Sequence, residues 1–270
     1  MMLALAREFA YRAVEMEHER VSKIDFNVIW DDAKAMGIAN RDLLAVLAGM
    51  FLLLPWVVAR QLLPEGTPIA PNTPLEIILQ IQLQYYADNW HIILVRELLM
   101  ALGMLSMLVL LLRGERPTVG ESLKLGLILL PSYMLAQLIE GFALTIGFAA
   151  LVVPFFYLLA RFVLVAPVAA AEGVVNPLDM VRRSFELTRG NGWRIFVILA
   201  IIFATTQILI WVLMAVTGVI AGLVLPADLA DFVEHVAVGL VAAMIGVFTL
   251  LVSAAIYRTA AQPRPAIWQP

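Results

Sequence analysis

The chain has 270 residues, of which 62% are hydrophobic and only 14% charged, with a mean hydropathy of +0.91. Water-soluble domains average about 45–50% apolar and about 25% charged residues, so a soluble core does not account for this excess. The lack of cysteine excludes disulfides and thiolate metal sites, and a net charge of −3 argues against general nucleic-acid binding.

Residues 1–22 read as an amphipathic extension. Met2, Leu5, Phe9, Ala13 and Met16 share a helical stripe, and Glu8 and Arg12 have the spacing of a supporting ion pair. Glutamates interrupt the apolar residues, so this is not the continuous hydrophobic region of a signal peptide. The segment is either a surface or partner-binding helix or a dispensable extension. A second amphipathic segment, 24–36, puts Phe26, Ile29, Trp30, Ala33 and Met36 on one face. It is expected to lie on the membrane, with Trp30 in the headgroup zone and a hinge at Gly37.

The membrane domain is expected to fill residues 23–259. Apolar runs of about 20 residues, enough to cross about 30 Å of hydrocarbon, place spans at Leu43–Leu63, Trp90–Leu112, Ile195–Leu223 and Val236–Tyr257. Residues 123–171 are long enough for two more, with a turn between Gly141 and Gly147. An external loop, 64–89, carries four prolines and then a short amphipathic helix, Leu75–Tyr86, with Tyr85, Tyr86 and Trp90 as interface anchors. Residues 260–270 form a tail. The fold class is therefore all-α: a polytopic bundle of about six transmembrane helices with cytoplasmic interfacial helices. Of the eighteen lysines and arginines, all but Arg60, Arg96 and Arg161 fall on one side of such a bundle. Positive charge marks the cytoplasmic side, so both termini are expected there.

Two constellations could carry function. Arg161 lies near the middle of the fourth expected span, where an arginine costs roughly 2.5–3.5 kcal/mol and needs a partner or water. Glu140 and Gln137 on the third span are candidate partners, and Arg96 with Glu97 on the second span offers Arg96–Glu140 as an alternative pair. These five residues form either a polar pocket for an anionic headgroup or coupling proton, or ion pairs that fix helix packing. The second constellation is a cytoplasmic elbow helix, 176–190. Asn176-Pro177 has N-cap and first-position chemistry, Leu178, Val181, Phe185 and Thr188 share a face, and Gly190-Asn-Gly192 ends the helix. Arg182, Arg183, Arg189 and Arg194 either hold anionic headgroups, at about 1 kcal/mol each, or only enforce topology. Gly218 and Gly222 form a weak GxxxG. His18, His91 and His235 lack metal-ligand spacing, no phosphate-binding or zinc-protease motif is present, and Pro71-Asn-Thr-Pro74 has no supporting hydrolase residues. Neither a metal nor a cofactor is expected.

Arg161-x-x-Leu-x-x-Pro167, Glu172-Gly173, Asn176-Pro177-Leu178, Arg183-Ser184-x-x-Leu187-Thr188 and Gly190-Asn-Gly-Trp-Arg194 resemble the membrane domain associated with bacterial glycerophosphoryl diester phosphodiesterases. Asp25-Phe-Asn-Val-Ile-Trp-Asp-Asp, Asn40-Arg-Asp42 and Arg116-Pro-Thr-Val-Gly-Glu121 are similar to its stand-alone members. The resemblance covers roughly residues 23–259. It implies a six-helix bacterial inner-membrane domain, associated with phospholipid chemistry but without the catalytic barrel. The expectation is a non-enzymatic integral membrane protein that binds phospholipid or a membrane protein partner through the elbow. The alternative is a small transporter or channel using Arg161, Glu140, Arg96 and Glu97. A lipid-acting enzyme ranks below both, because no nucleophile–base or metal constellation is visible.

Overall fold

The computed structural model describes residues 25–114, 117–150 and 152–261. The extension at 1–22, Arg116 and the tail beyond Ala261 lie outside the described residues. Within them the chain runs α1 (Phe26–Ala39), α2 (Arg41–Ala48), a π-helical turn (Gly49–Leu53), α3 (Leu54–Leu62), α4 (Leu75–Leu112), α5 (Val119–Ala150), α6 (Val152–Phe162), α7 (Val165–Glu172), α8 (Pro177–Leu187), α9 (Gly192–Val224) and α10 (Ala227–Ala261). Six stretches are long and apolar enough to cross a membrane: Arg41–Leu62, Leu75–Leu112, Val119–Phe148, Pro154–Glu172, Gly192–Ile220 and Leu229–Ala261. The protein is an all-α, multi-pass membrane bundle.

The first span, α2 to α3, packs on α4 and α10. From there α4 packs on α5, α5 on α6, α6 on α9 and α9 on α10, which closes a ring. The short α7 stands against α4, α5 and α8, and its residues Val165, Val168, Ala169 and Ala170 are almost fully buried.

Three boundaries differ from expectation. The expected external helix and second span are one helix, α4, of 38 residues. At 1.5 Å per residue it is about 57 Å long, so its first turns project beyond the hydrocarbon. Nothing breaks it at 87–89, because Gln84 donates to Asp88 at 2.8 Å and the Asn89 side chain donates to the Tyr85 carbonyl at 2.9 Å. The turn between the third and fourth spans is not at 141–147, since α5 runs to Ala150. Gly147 instead permits a close crossing: a Cβ there would stand 2.9 Å from Leu158 Cδ1 and 3.3 Å from the Phe155 Cα. Likewise α1 runs through Gly37 and stops at Asn40, whose backbone and side-chain N–H groups both reach the Met36 carbonyl. A Cβ on Gly37 would meet Leu251 at 3.0 Å. Ile29, Ala33 and Met36 are buried, and Arg258 bonds Asp32 at 2.9 Å, so α1 is docked along the end of α10.

Proline explains the two interrupted spans. Pro167 has no N–H to donate and its ring crowds the carbonyl four residues back, and the helix breaks at Val163-Leu164 before restarting as α7. Pro55 follows the π-helical turn at Gly49–Leu53, a common accommodation of a backbone irregularity inside a helix.

Candidate functional site

The elbow is built by local rules. The Asn176 side chain accepts from the Leu178 amide at 3.1 Å, Pro177 occupies the first helical position, and Gly190 turns the chain out at φ +78°. The packed face is rotated from the expected Leu178, Val181, Phe185 and Thr188: Thr188 is fully buried, and Val181 and Phe185 are half-buried. Met180, Ser184 and Thr188 have zero exposure, whereas Leu178 is 63% exposed. The reason lies in α6, whose last carbonyls need partners. Ser184 Oγ donates to the Arg161 carbonyl at 2.6 Å, and Thr188 Oγ1 donates back to the Ser184 carbonyl at 2.7 Å. These bonds tuck α8 against the broken fourth span.

That docking also relocates Arg161. Its side chain is not deep in the bundle but at the level of the elbow, with its guanidinium 4.8 Å from the centre of the Phe185 ring and 5.8 Å from that of Tyr157. The start of α9 is adjacent: a Cβ on Gly192 would stand 3.2 Å from Tyr157 and 3.8 Å from Arg161 Cδ. Arg161 is 9% exposed, its Nε has no hydrogen-bond partner, and among the described residues no carboxylate lies within ion-pair distance. Glu140 is not its partner. Depth does not separate them, because α5 ends ten residues after Glu140 and α6 begins nine before Arg161. Arg161 instead faces α8.

Arg161, Arg182 and Arg189 open into one cavity of about 450 Å³, whose other walls are Leu178, Val181, Phe185 and Glu186. Three guanidiniums against one carboxylate leave a net charge of +2 at its mouth, above an apolar floor. Arg182 holds Glu186 at 3.2 Å. Residues from both expected constellations thus meet in one site.

The other two elbow arginines are elsewhere. Arg183 bonds Glu172 at 3.1 Å and approaches Glu186 at 3.5 Å. The hydrogen bond that Arg183 donates to Glu172 holds its pKa above the ordinary arginine value. Tyr257 donates to the same Glu172 oxygen at 3.0 Å, and Arg113 Nε donates to the Ala170 carbonyl at 2.9 Å. This node joins α4, α7, α8 and α10. Glu172 was missed as a site residue, although it is the only charged residue between Arg161 and Asp179 and precedes Gly173, which has φ +66°. Arg194 is half-buried in the first turn of α9 and does not line the cavity.

The remaining intramembrane residues do not converge on Arg161. Arg96 bonds its neighbour Glu97, with Nε at 3.1 Å, and lies over the Trp56 ring at 5.9 Å. Gln137 and Glu140 are half-buried on α5 and bond neither arginine. Among the described residues, no group of three or more histidines and acids is placed to hold a metal ion. Comparison with protein-family models, curated proteins and solved structures returns no match.

Proposed function

We propose that the elbow cavity holds the phosphate of an anionic phospholipid headgroup, and that the protein is a non-enzymatic, lipid-binding component of its membrane. The observation that carries this reading is Arg161: nine-tenths buried, without an acidic partner among the described residues, and open to the same cavity as Arg182 and Arg189. A buried guanidinium without a counter-charge is costly, and a phosphate supplies both the charge and the acceptor oxygens that planar arginine donors fit. Exposed Leu178 and Trp193 flank the site, as residues at a headgroup boundary do. At about 1 kcal/mol per cation, three arginines favour an anionic over a zwitterionic lipid by about 3 kcal/mol, roughly a hundredfold.

The concentration of lysine and arginine at the elbow end supports a cytoplasmic placement of that end. The resemblance to the phosphodiesterase-associated membrane domain supports a bacterial inner membrane as the setting. A transport reading would need one polar path through Arg96, Glu97, Gln137, Glu140 and Arg161, and pairing of Arg96 with Glu97 supports it less.

The test is the double variant Arg182→Gln/Arg189→Gln, purified from a mixed-lipid membrane and weighed intact by native mass spectrometry. Retained phosphatidylglycerol should fall while phosphatidylethanolamine and helical circular dichroism hold. Unchanged phosphatidylglycerol in a folded variant overturns the reading.

A further inference from the structure

Helix α9 carries one strongly polar side chain where a span can least accommodate it. Between Arg194 and Val224 no residue is charged, and Gln207 is the only amide. It lies fifteen residues from Gly192 and thirteen from Ile220 in a span of 29, about 20 Å from the nearer end at 1.5 Å per residue. That is close to the middle of the hydrocarbon, beyond the reach of its side chain to either interface. Gln207 is exposed on the outside of the bundle, and among the described residues its amide has no hydrogen-bond partner. Hydroxyls on the same helix have an internal outlet. Thr206 Oγ1 donates to the Ile202 carbonyl and Thr217 Oγ1 to the Leu213 carbonyl, both at 2.7 Å, and Thr205 can do the same by rotation. An amide with neither water nor a partner is costly in hydrocarbon.

The rest of α9 indicates what is missing. It is the least buried of the six spans, with 11% of its apolar stretch buried against 22–56% for the others. Phe203, Trp211 and Met214 stand four residues before Gln207 and four and seven after it, so they share its face, and all three are exposed, as is Ala204. Beyond Met214 this side turns to α10, where a Cβ on Gly218 would stand 3.6 Å from Glu234 Oε2. The open stretch is therefore 203–214, about three turns. Glutamine side chains hydrogen-bond across transmembrane helices, and symmetry selects the helix. Copies of one chain insert with the same orientation, so a twofold axis along the membrane normal sets each α9 residue opposite itself at the same depth. A carboxylate or guanidinium there would repel its copy. An amide carries both donor and acceptor, and two facing Gln207 side chains satisfy one another.

We infer that the protein pairs with a second copy of itself through the 203–214 face of α9, with Gln207 bonded to the partner subunit's Gln207 across the twofold axis. The apolar side chains around the pair exclude water. The single amide fixes the depth at which the two helices meet, as one buried polar residue fixes register in a coiled coil. This pairing does not depend on the lipid reading of the elbow.

The chain's lack of cysteine permits a direct test. Ala204→Cys lies one turn from Gln207 on the proposed face, and Leu209→Cys lies on the opposite side of α9, in the wall of a cavity beside α1. Each full-length variant is reconstituted in phosphatidylcholine vesicles over a range of protein-to-lipid ratios and oxidised. Ala204→Cys should give a disulfide-linked dimer whose yield saturates with protein density, and Leu209→Cys only the collisional background. Adding Gln207→Leu to the Ala204→Cys chain should move half-maximal cross-linking to roughly 3- to 30-fold higher protein density. Leucine suits a lipid-facing position, and helical circular dichroism checks that the variant is folded. No saturable cross-link at position 204, equal yields at the two positions, or an unshifted curve with Gln207→Leu overturns the proposal and assigns this face of α9 to lipid or to a different protein.

Discussion

Replacing Arg161 by methionine separates a lipid-binding arginine from one that holds helices together. In a structural ion pair, removing one partner strands the other charge in the interior and costs about 3–5 kcal/mol. Among the described residues Arg161 has no such partner. What methionine forfeits is the interaction with the rings of Phe185 and Tyr157, at 4.8 and 5.8 Å, together about 1–2 kcal/mol. What it relieves is an uncompensated buried charge, which at the level of the elbow costs less than the roughly 2.5–3.5 kcal/mol that insertion scales give at the centre of a span. The backbone bond from Ser184 to the residue 161 carbonyl is unaffected. The expected outcome is unchanged stability or a gain of about 1 kcal/mol in purely zwitterionic nanodiscs. In the same protein, the stabilisation that wild type gains from added phosphatidylglycerol should fall by about 1–3 kcal/mol, one cation plus its charge-assisted hydrogen bonds. Thermal melts of both proteins in the two lipid compositions measure this. A variant that loses 3 kcal/mol or more in zwitterionic lipid, yet responds to phosphatidylglycerol as wild type does, would refute the reasoning.

Three further perturbations test the architecture. A Cβ on Gly103 would overlap the Phe51 Cβ, so Gly103→Ala should lower stability by about 1–3 kcal/mol. Phe51→Ala retains the offending atom and should not rescue it in a melting assay, whereas Phe51→Gly should. Glu172→Gln removes the charge shared by Arg183 and Tyr257. Because the Arg183 and Glu172 side chains are 40% and 27% exposed, the screened loss should be about 1 kcal/mol. Combining it with Arg183→Gln should be non-additive by about 0.5–1 kcal/mol in a double-mutant cycle. Ser184→Ala leaves the Arg161 carbonyl without its side-chain donor and should cost about 1–2 kcal/mol, with faster amide exchange confined to α8 and the end of α6.

The class of protein was legible in the residues, because crossing hydrocarbon as a helix demands long apolar runs that nothing else in a sequence resembles. Six spans, the amphipathic residues of α1 and the capped start of α8 at Asn176-Pro177 all follow from composition, period and cap chemistry. So does the crowding of lysine and arginine toward one end. These are one-dimensional properties, and each depends on residues within a turn or a span of one another.

The site depended on what the sequence does not encode locally. Proline at 167 announces an irregularity, but only packing decides that the chain breaks at Val163-Leu164 and that Ser184 docks on the Arg161 carbonyl. Hydrophobic periodicity put Leu178, Val181, Phe185 and Thr188 on one face; tertiary hydrogen bonding centred the buried face on Met180, Ser184 and Thr188 and left Val181 and Phe185 half-buried at its edge. That rotation turned Val181 and Phe185 into walls of a cavity and set Arg182 and Arg189 beside Arg161. It also sent Arg183 to Glu172 on the other side of the helix. Residue types and spacing determined that arginines gather at the elbow end of a multi-pass bundle. Only the tertiary structure decided which of them share a cavity, because the direction of a side chain follows from the partners that satisfy the backbone around it.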